Sequence, residues 1–164
     1  MKFFLGRHVL IFLILIAFLF ITCREKTDEE MILEMMNELG KLAEKEDING
    51  ILAHMDEDYR DFRGRRKEET RDMLQGYFDQ FRGIVIHMLS TRIVERKASE
   101  AFIQTELAVS SGGARIIRRV IRVSTDNYRL NLRLAKMDSR WLIRYAEWKH
   151  ITLDELFPES LAIL

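Results

Sequence analysis

Apolar residues recur at helical spacing in the first half of the chain and at strand spacing in the second. Ile32, Met35, Met36, Leu39 and Leu42 fall three or four residues apart, which predicts a helix with one buried stripe. Ahead of it, Thr27-Asp28-Glu29-Glu30 has the form of a capping box, in which the Thr27 hydroxyl and the Glu30 carboxylate satisfy amides that the helix start leaves orphaned. A second, short helix is expected from near Asp47, with Ile48, Ile51, Leu52 and Met55 on one face. The polar stretch from Asp56 to Arg66 carries Gly64, and Tyr59-Arg60-Asp61-Phe62 within it reads as one arm of a small hairpin. A third helix then presents Met73, Leu74, Tyr77, Phe78 and Phe81 and stops at Gly83.

Beyond Gly83 the period falls to two, which predicts strands. Ile84, Ile86 and Met88 alternate with Val85, His87 and Leu89, and Lys97-Ala98-Ser99-Glu100 has the composition of a hairpin turn. A strand from Ala101 to Ser110 ends at Ser111-Gly112-Gly113. Tyr128, Leu130, Leu132 and Leu134 alternate with polar neighbours, and Asp138-Ser139 turns the chain into Trp141–Trp148. Ile116, Ile117, Val120 and Ile121 are read as a strand from their β-branching, although their spacing also suits a helix. Helices followed by a meander of strands predict an α+β domain, its N-terminal helices packed on one face of a curved antiparallel sheet. Strict alternation also makes both faces of the 84–89 strand apolar, and sets Leu142, Ala146 and Trp148 against Trp141 and Ile143. Helices cover one face only. The other is expected to be covered by a second copy of the chain, as a homodimer through the sheet, or by the apolar tail of residues 151–164.

The N-terminal segment alters this picture. Val9 to Cys23 is an uncharged run of 15 residues, roughly 22 Å as a helix against a hydrocarbon core of roughly 30 Å. Lys2 and Arg7 precede it and Arg24 and Glu25 end it, the layout of a secretory signal. The single cysteine, Cys23, stands where the run stops, and this placement resembles the lipobox of bacterial lipoproteins, whose cysteine is acylated and becomes the new N-terminus. Phe20 and Thr22 occupy the positions where that pattern has leucine and a small residue. Residues 1–22 are therefore read as a signal peptide and 23–28 as a lipidated N-terminus and short linker. An uncleaved signal anchor, or cleavage that leaves a free thiol, are the alternatives. Arg24 replaces the aspartate associated with inner-membrane retention, so an outer-membrane position is expected.

Charge narrows the partners further. The chain has 26 basic and 26 acidic residues, and removing Lys2 and Arg7 leaves 24 against 26, a net charge of −2. That balance gives no electrostatic basis for nucleic-acid binding. His8, His54, His87 and His150 are scattered without ligand spacing, and Ser111-Gly112-Gly113 lacks the lysine of a phosphate-binding loop, so no metal or cofactor is expected. Arg115, Arg118, Arg119 and Arg122 form a local basic cluster, read as a solvated strand face or as a contact to anionic lipid.

The "DEDYRDFRG" segment from Asp56 to Gly64, the helix after it and "LAKMDSRWLIRYAEW" from Leu134 to Trp148 together resemble the nuclear-transport-factor-2-like superfamily, over residues 29–150. This superfamily includes the ketosteroid isomerases, scytalone dehydratase and the SnoaL-like cyclases. The resemblance implies a cone whose pocket lies between the helices and the concave sheet face, where the enzymes of the group place a carboxylate or histidine base beside a tyrosine or acid donor. Tyr59, Tyr77, His87, Trp141 and Tyr145 are the pocket candidates, and His87 or Asp61 would be the base of an enzyme. Each also has a plainer reading: Tyr59 and Tyr77 as core-edge aromatics, His87 as a hydrogen-bonded structural imidazole, Asp61 as a turn residue or surface ion pair, and Glu147 as a solvated strand-end carboxylate. Two functions fit. One is a membrane-anchored, non-catalytic module for a small apolar ligand or a partner protein. The other is a SnoaL-like isomerase, cyclase or dehydratase.

Overall fold

The computed structural model describes residues 25–81, 83–110, 126–152 and 155. Cys23, the 114–123 segment with its arginine cluster, Ser111-Gly112-Gly113 and most of the 151–164 tail lie outside the described residues. Helix α1 spans Asp28–Glu44 and α2 Ile48–Ala53; strand β1 spans Met55–Asp61, α3 Lys67–Gln80, β2 Val85–Arg96, β3 Glu100–Ser110, β4 Asp126–Met137 and β5 Arg140–Ile151.

The local signals act as expected. Thr27 Oγ1 accepts from the Glu30 amide at 3.2 Å while the Glu30 carboxylate accepts from the Thr27 amide at 2.8 Å, closing the capping box that starts α1. Asp47 caps α2 by accepting from the Gly50 amide. Glu69 reaches back to the Arg66 amide at the start of α3. Asp138 and Ser139, at φ 46° and 67°, form a two-residue turn between β4 and β5, whose left-handed central residues match the twist of the paired strands.

The strands form one sheet in the order β1-β5-β4-β3-β2. Four of them pair antiparallel, but β1 runs parallel to β5 at the sheet's edge. Residues 59–62 are therefore part of a parallel edge strand and its exit, not a hairpin arm: Phe62 donates its amide to the Ala146 carbonyl. Ile32, Met35 and Met36 of α1, Ile51 and Leu52 of α2 and Phe78 of α3 pack on the concave face against Ile103, Leu132, Leu134, Trp141, Ile143 and Ala146.

β5 does not alternate strictly. Its register against β4 shifts between the Arg133↔Tyr145 and Leu134↔Ile143 pairs, leaving Arg144 as a bulged residue. One extra residue reverses the facing of everything after it, so Trp141, Ile143, Ala146 and Trp148 all join the concave side. The expected apolar second face of β5 is thus corrected: Tyr145, Glu147 and Lys149 point outward with Arg133, Asn131 and Arg129 of β4. Much of the outer face is a polar network. Arg129 donates twice to Glu106, at 3.0 and 2.8 Å, Ser90 donates to the same carboxylate, and Gln104 bridges to Asn131.

Two carboxylates tie distant elements together. Asp28, at the start of α1, accepts from Lys136 Nζ at 2.7 Å, Trp141 Nε1 at 3.1 Å and Arg96 at 3.2 Å. Asp56 accepts from Arg144 Nε and a terminal guanidinium nitrogen at 3.0 and 2.8 Å, so the bulge of β5 is locked to β1. The Lys136 hydrogen bond, with those of Trp141 and the nearby arginine, holds the Asp28 carboxyl below its usual 3.8 despite partial burial. Burial pushes Asp56 up, but the Asp58 amide and Arg144 outweigh it and the result is again below 3.8. A carboxyl with a depressed native value stabilises the fold above its unfolded value, and that contribution disappears as pH falls through the native value. The urea midpoint is accordingly expected to fall steeply below about pH 4, and to fall less in an Asp28→Asn/Asp56→Asn variant. Equal acid sensitivity of the two proteins would refute the assignment.

Candidate functional site

Between α3 and the concave face of the sheet lies a cavity of about 310 Å³, at the small end of the range for ligand pockets. Met73, Leu74 and Phe78 of α3 form one wall, Leu107, Val109 and Leu130 of the sheet the other, and Ile51, Met55, Ile84 and Trp148 close its sides. Four hydroxyl-bearing residues line it: Tyr59 of β1, Thr70 and Tyr77 of α3, and Tyr128 of β4. Among the described residues, no acidic, basic or imidazole side chain does. A second, open groove along α1 from Lys26 to Lys45 is lined mostly by charged and amide side chains.

Burial raises the phenol of Tyr59 above its ordinary value, with the neighbouring Thr70 hydroxyl acting in the opposite direction. Burial likewise raises Tyr77 and Tyr128, each further raised by the Asp126 carboxylate. All three phenols are therefore neutral at pH 7 and act as hydrogen-bond donors. At the same end of the sheet, His150 Nε2 stands 3.5 Å from Asp126 Oδ1, and its ring meets the Tyr128 ring edge-on at 5.5 Å.

The wall carrying Trp148 is braced from behind. Phe62 packs edge-on against the Trp148 ring at 4.9 Å and the Arg65 guanidinium sits 5.4 Å from it. Arg65 is held in turn by Asp61, whose carboxylate accepts from the Arg63 amide at 2.8 Å, the Arg65 amide at 3.0 Å and Arg65 Nε at 2.6 Å.

Of the pocket candidates read from the sequence, Tyr59 and Tyr77 line the cavity. His87 does not. It lies on the outer face of β2, opposite Ala108, and is exposed, which also removes the reading of a buried structural imidazole. Trp141 faces inward but is buried at the other end of the sheet, bonded to Asp28. Tyr145 is on the outer face, with Arg133 5.4 Å from its ring centre. Asp61 organises the 61–65 turn from a buried position, not as a surface ion pair, and does not line the cavity.

Thr70, Tyr128 and Trp148 were not among the candidates. Thr70 was legible, because it stands four and eight residues before Leu74 and Phe78 and so shares the inward stripe of α3. Tyr128 also carried a signal as the first member of the alternating Leu130, Leu132, Leu134 series. Trp148 carried none, since only the bulge at Arg144 turns it inward.

No family model matches the sequence, and no curated protein is similar to it. Solved structures do match. A protein of unknown function with a cystatin-like fold from Nostoc punctiforme superposes with a TM-score of 0.62 at 20% identity, over 79% of this chain and 97% of that one. A protein from Novosphingobium aromaticivorans, provisionally assigned as a scytalone dehydratase, gives 0.63 at 16% identity, over 76% and 85%. An NTF2-like protein of unknown function from Pseudomonas putida gives 0.61 at 12%, over 72% and 82%. A Bdellovibrio bacteriovorus protein matches over 74% of this chain, which spans 40% of that longer one, at 14% identity and a TM-score of 0.61. The helices, the curved five-stranded sheet and these superpositions agree that the chain has the cone-shaped α+β fold of the nuclear-transport-factor-2-like, cystatin-like proteins.

Proposed function

We propose that this protein is an exported, lipid-anchored module whose cone binds a small, neutral, mainly apolar molecule. The observation that carries the reading is the cavity itself: about 310 Å³, with mainly apolar walls and, among the described residues, only uncharged polar groups on its lining. Such a lining favours binding over proton abstraction, because three phenols raised by burial donate hydrogen bonds but are not general bases near pH 7. Filling it with about 200 Å² of apolar ligand surface at about 25 cal/mol per Å² gives on the order of 5 kcal/mol before ordering costs. Taken alone that would correspond to a dissociation constant of about 0.2 mM, and ordering costs place a single-ring probe at about 1 mM or weaker.

Ethylbenzene titrated into the ¹⁵N-labelled domain is expected to shift the Trp148 indole and Thr70 amide resonances, both at the cavity wall. Val109→Trp, which fills the cavity from β3, is expected to weaken that binding at least about tenfold while the domain stays folded. Ethylbenzene binding that survives in Val109→Trp, or shifts confined to other surfaces, would reject the cavity as the site.

One observation favours the catalytic alternative. The His150–Asp126 pair stands against Tyr128 and could serve as an acid–base couple for a ligand reaching beyond the cavity. Conversion of a bound ligand by the wild type, abolished in His150→Gln with binding retained, would establish that reading instead.

A further inference from the structure

Thr70 is 2% exposed, lines the cavity, and its hydroxyl oxygen is fully buried without a hydrogen-bond partner among the described residues. Leaving a buried hydroxyl unpaired is costly. Helical threonines commonly relieve that cost by donating to the carbonyl one turn back, but here the Arg66 carbonyl accepts only from the Thr70 amide, at 2.9 Å. The Tyr59 phenol, 2% exposed, lines the same cavity near it, but no hydrogen bond of acceptable geometry joins the two hydroxyls. The two come from different elements, β1 and α3, and supply two of the four hydroxyls on the cavity lining.

Resting on the binding function proposed above, we infer that Thr70 and Tyr59 are the polar anchor of the site, and that the ligand is an apolar molecule bearing one uncharged hydrogen-bond-accepting oxygen, a carbonyl. Two hydroxyl donors match the two lone pairs of one carbonyl oxygen. A carboxylate or phosphate would bring a net charge into a cavity that offers no cationic side chain among the described residues, and its desolvation would go uncompensated. An ammonium would likewise find no carboxylate on the lining among the described residues. The anchor therefore sets chemical selectivity, while the leucine, isoleucine and methionine walls supply the area.

Acetophenone and ethylbenzene have nearly the same shape and differ by the carbonyl, so the ratio of their affinities isolates the anchor. Thr70→Val, isosteric without the hydroxyl, is expected to lower the acetophenone-to-ethylbenzene affinity ratio about tenfold. Tyr59→Phe is expected to act in the same direction. Because the Thr70 hydroxyl has no partner in the unliganded protein, Thr70→Val is also expected to keep or raise the melting temperature. An unchanged ratio in Thr70→Val, or a substantial fall in its unliganded melting temperature, would overturn the anchor and leave the cavity as an unselective apolar site. If wild-type protein binds neither compound, the binding function falls together with the anchor.

Discussion

Asp61→Ala is expected to lower the unfolding free energy by about 3–5 kcal/mol, read from urea denaturation followed by far-UV circular dichroism. The carboxylate is fully buried and accepts from two backbone amides and the Arg65 guanidinium. Its removal leaves two amides without their acceptor and an arginine, 23% exposed at its side chain, without its counter-charge. The turn itself depends on it, since the Asp61 amide donates to the Arg65 carbonyl and the Gly64 amide to the Asp61 carbonyl, with Gly64 at φ 81°. Asp61→Asn keeps one acceptor oxygen and is expected to lose about half as much. The effect reaches the cavity because Arg65 and Phe62 brace Trp148. Asp61→Ala should therefore also weaken ethylbenzene binding under conditions where the variant is still folded. A stability loss under about 1 kcal/mol would mean that the buried pair is not holding the turn.

Cys23→Ala is expected to abolish incorporation of labelled fatty acid in a bacterial host and to leave the protein as an unprocessed precursor. The proposed anchor requires the thiol as acyl acceptor, and stable attachment requires more than one chain. Wild-type protein that takes up no label would reject lipidation. The fold gives this test a geometric consequence. Only five residue steps separate Cys23 from Asp28, a reach of at most about 17–18 Å. Asp28 is bonded to Arg96, Lys136 and Trp141, beside the β2–β3 and β4–β5 turns. An acylated Cys23 would hold that end of the sheet at the bilayer, whereas Val109, Tyr128 and Trp148 of the cavity wall lie toward the other end of the strands. In membrane-bound protein, a nitroxide at Met137 should therefore lie closer to the lipid headgroups than one at His150.

The elements whose causes are local were legible in the sequence. A capping box, a stripe at three- and four-residue spacing and a two-residue turn each act within a few positions, so α1, α2, α3 and the β4–β5 hairpin could be read directly. Tyr77 could be named as a cavity residue because the apolar stripe of α3 carried it inward, whereas Tyr59, within a polar stretch, could be named only from what the resemblance implied. Tertiary structure decided the rest. The parallel pairing of β1 with β5 joins residues some 85 positions apart and leaves no short-range mark, so the 59–62 stretch resembled a hairpin arm. The bulge at Arg144 is stabilised by Asp56, a partner 88 residues away. No periodicity within β5 announces it, yet it reverses the facing of Trp148. His87 shows the same limit from the other side, since alternation placed it on one face of β2 but only the packing of α1 over Ile86 and Met88 made that face the outer one. Period determines which residues share a face; burial of that face is settled by what the remainder of the chain places against it.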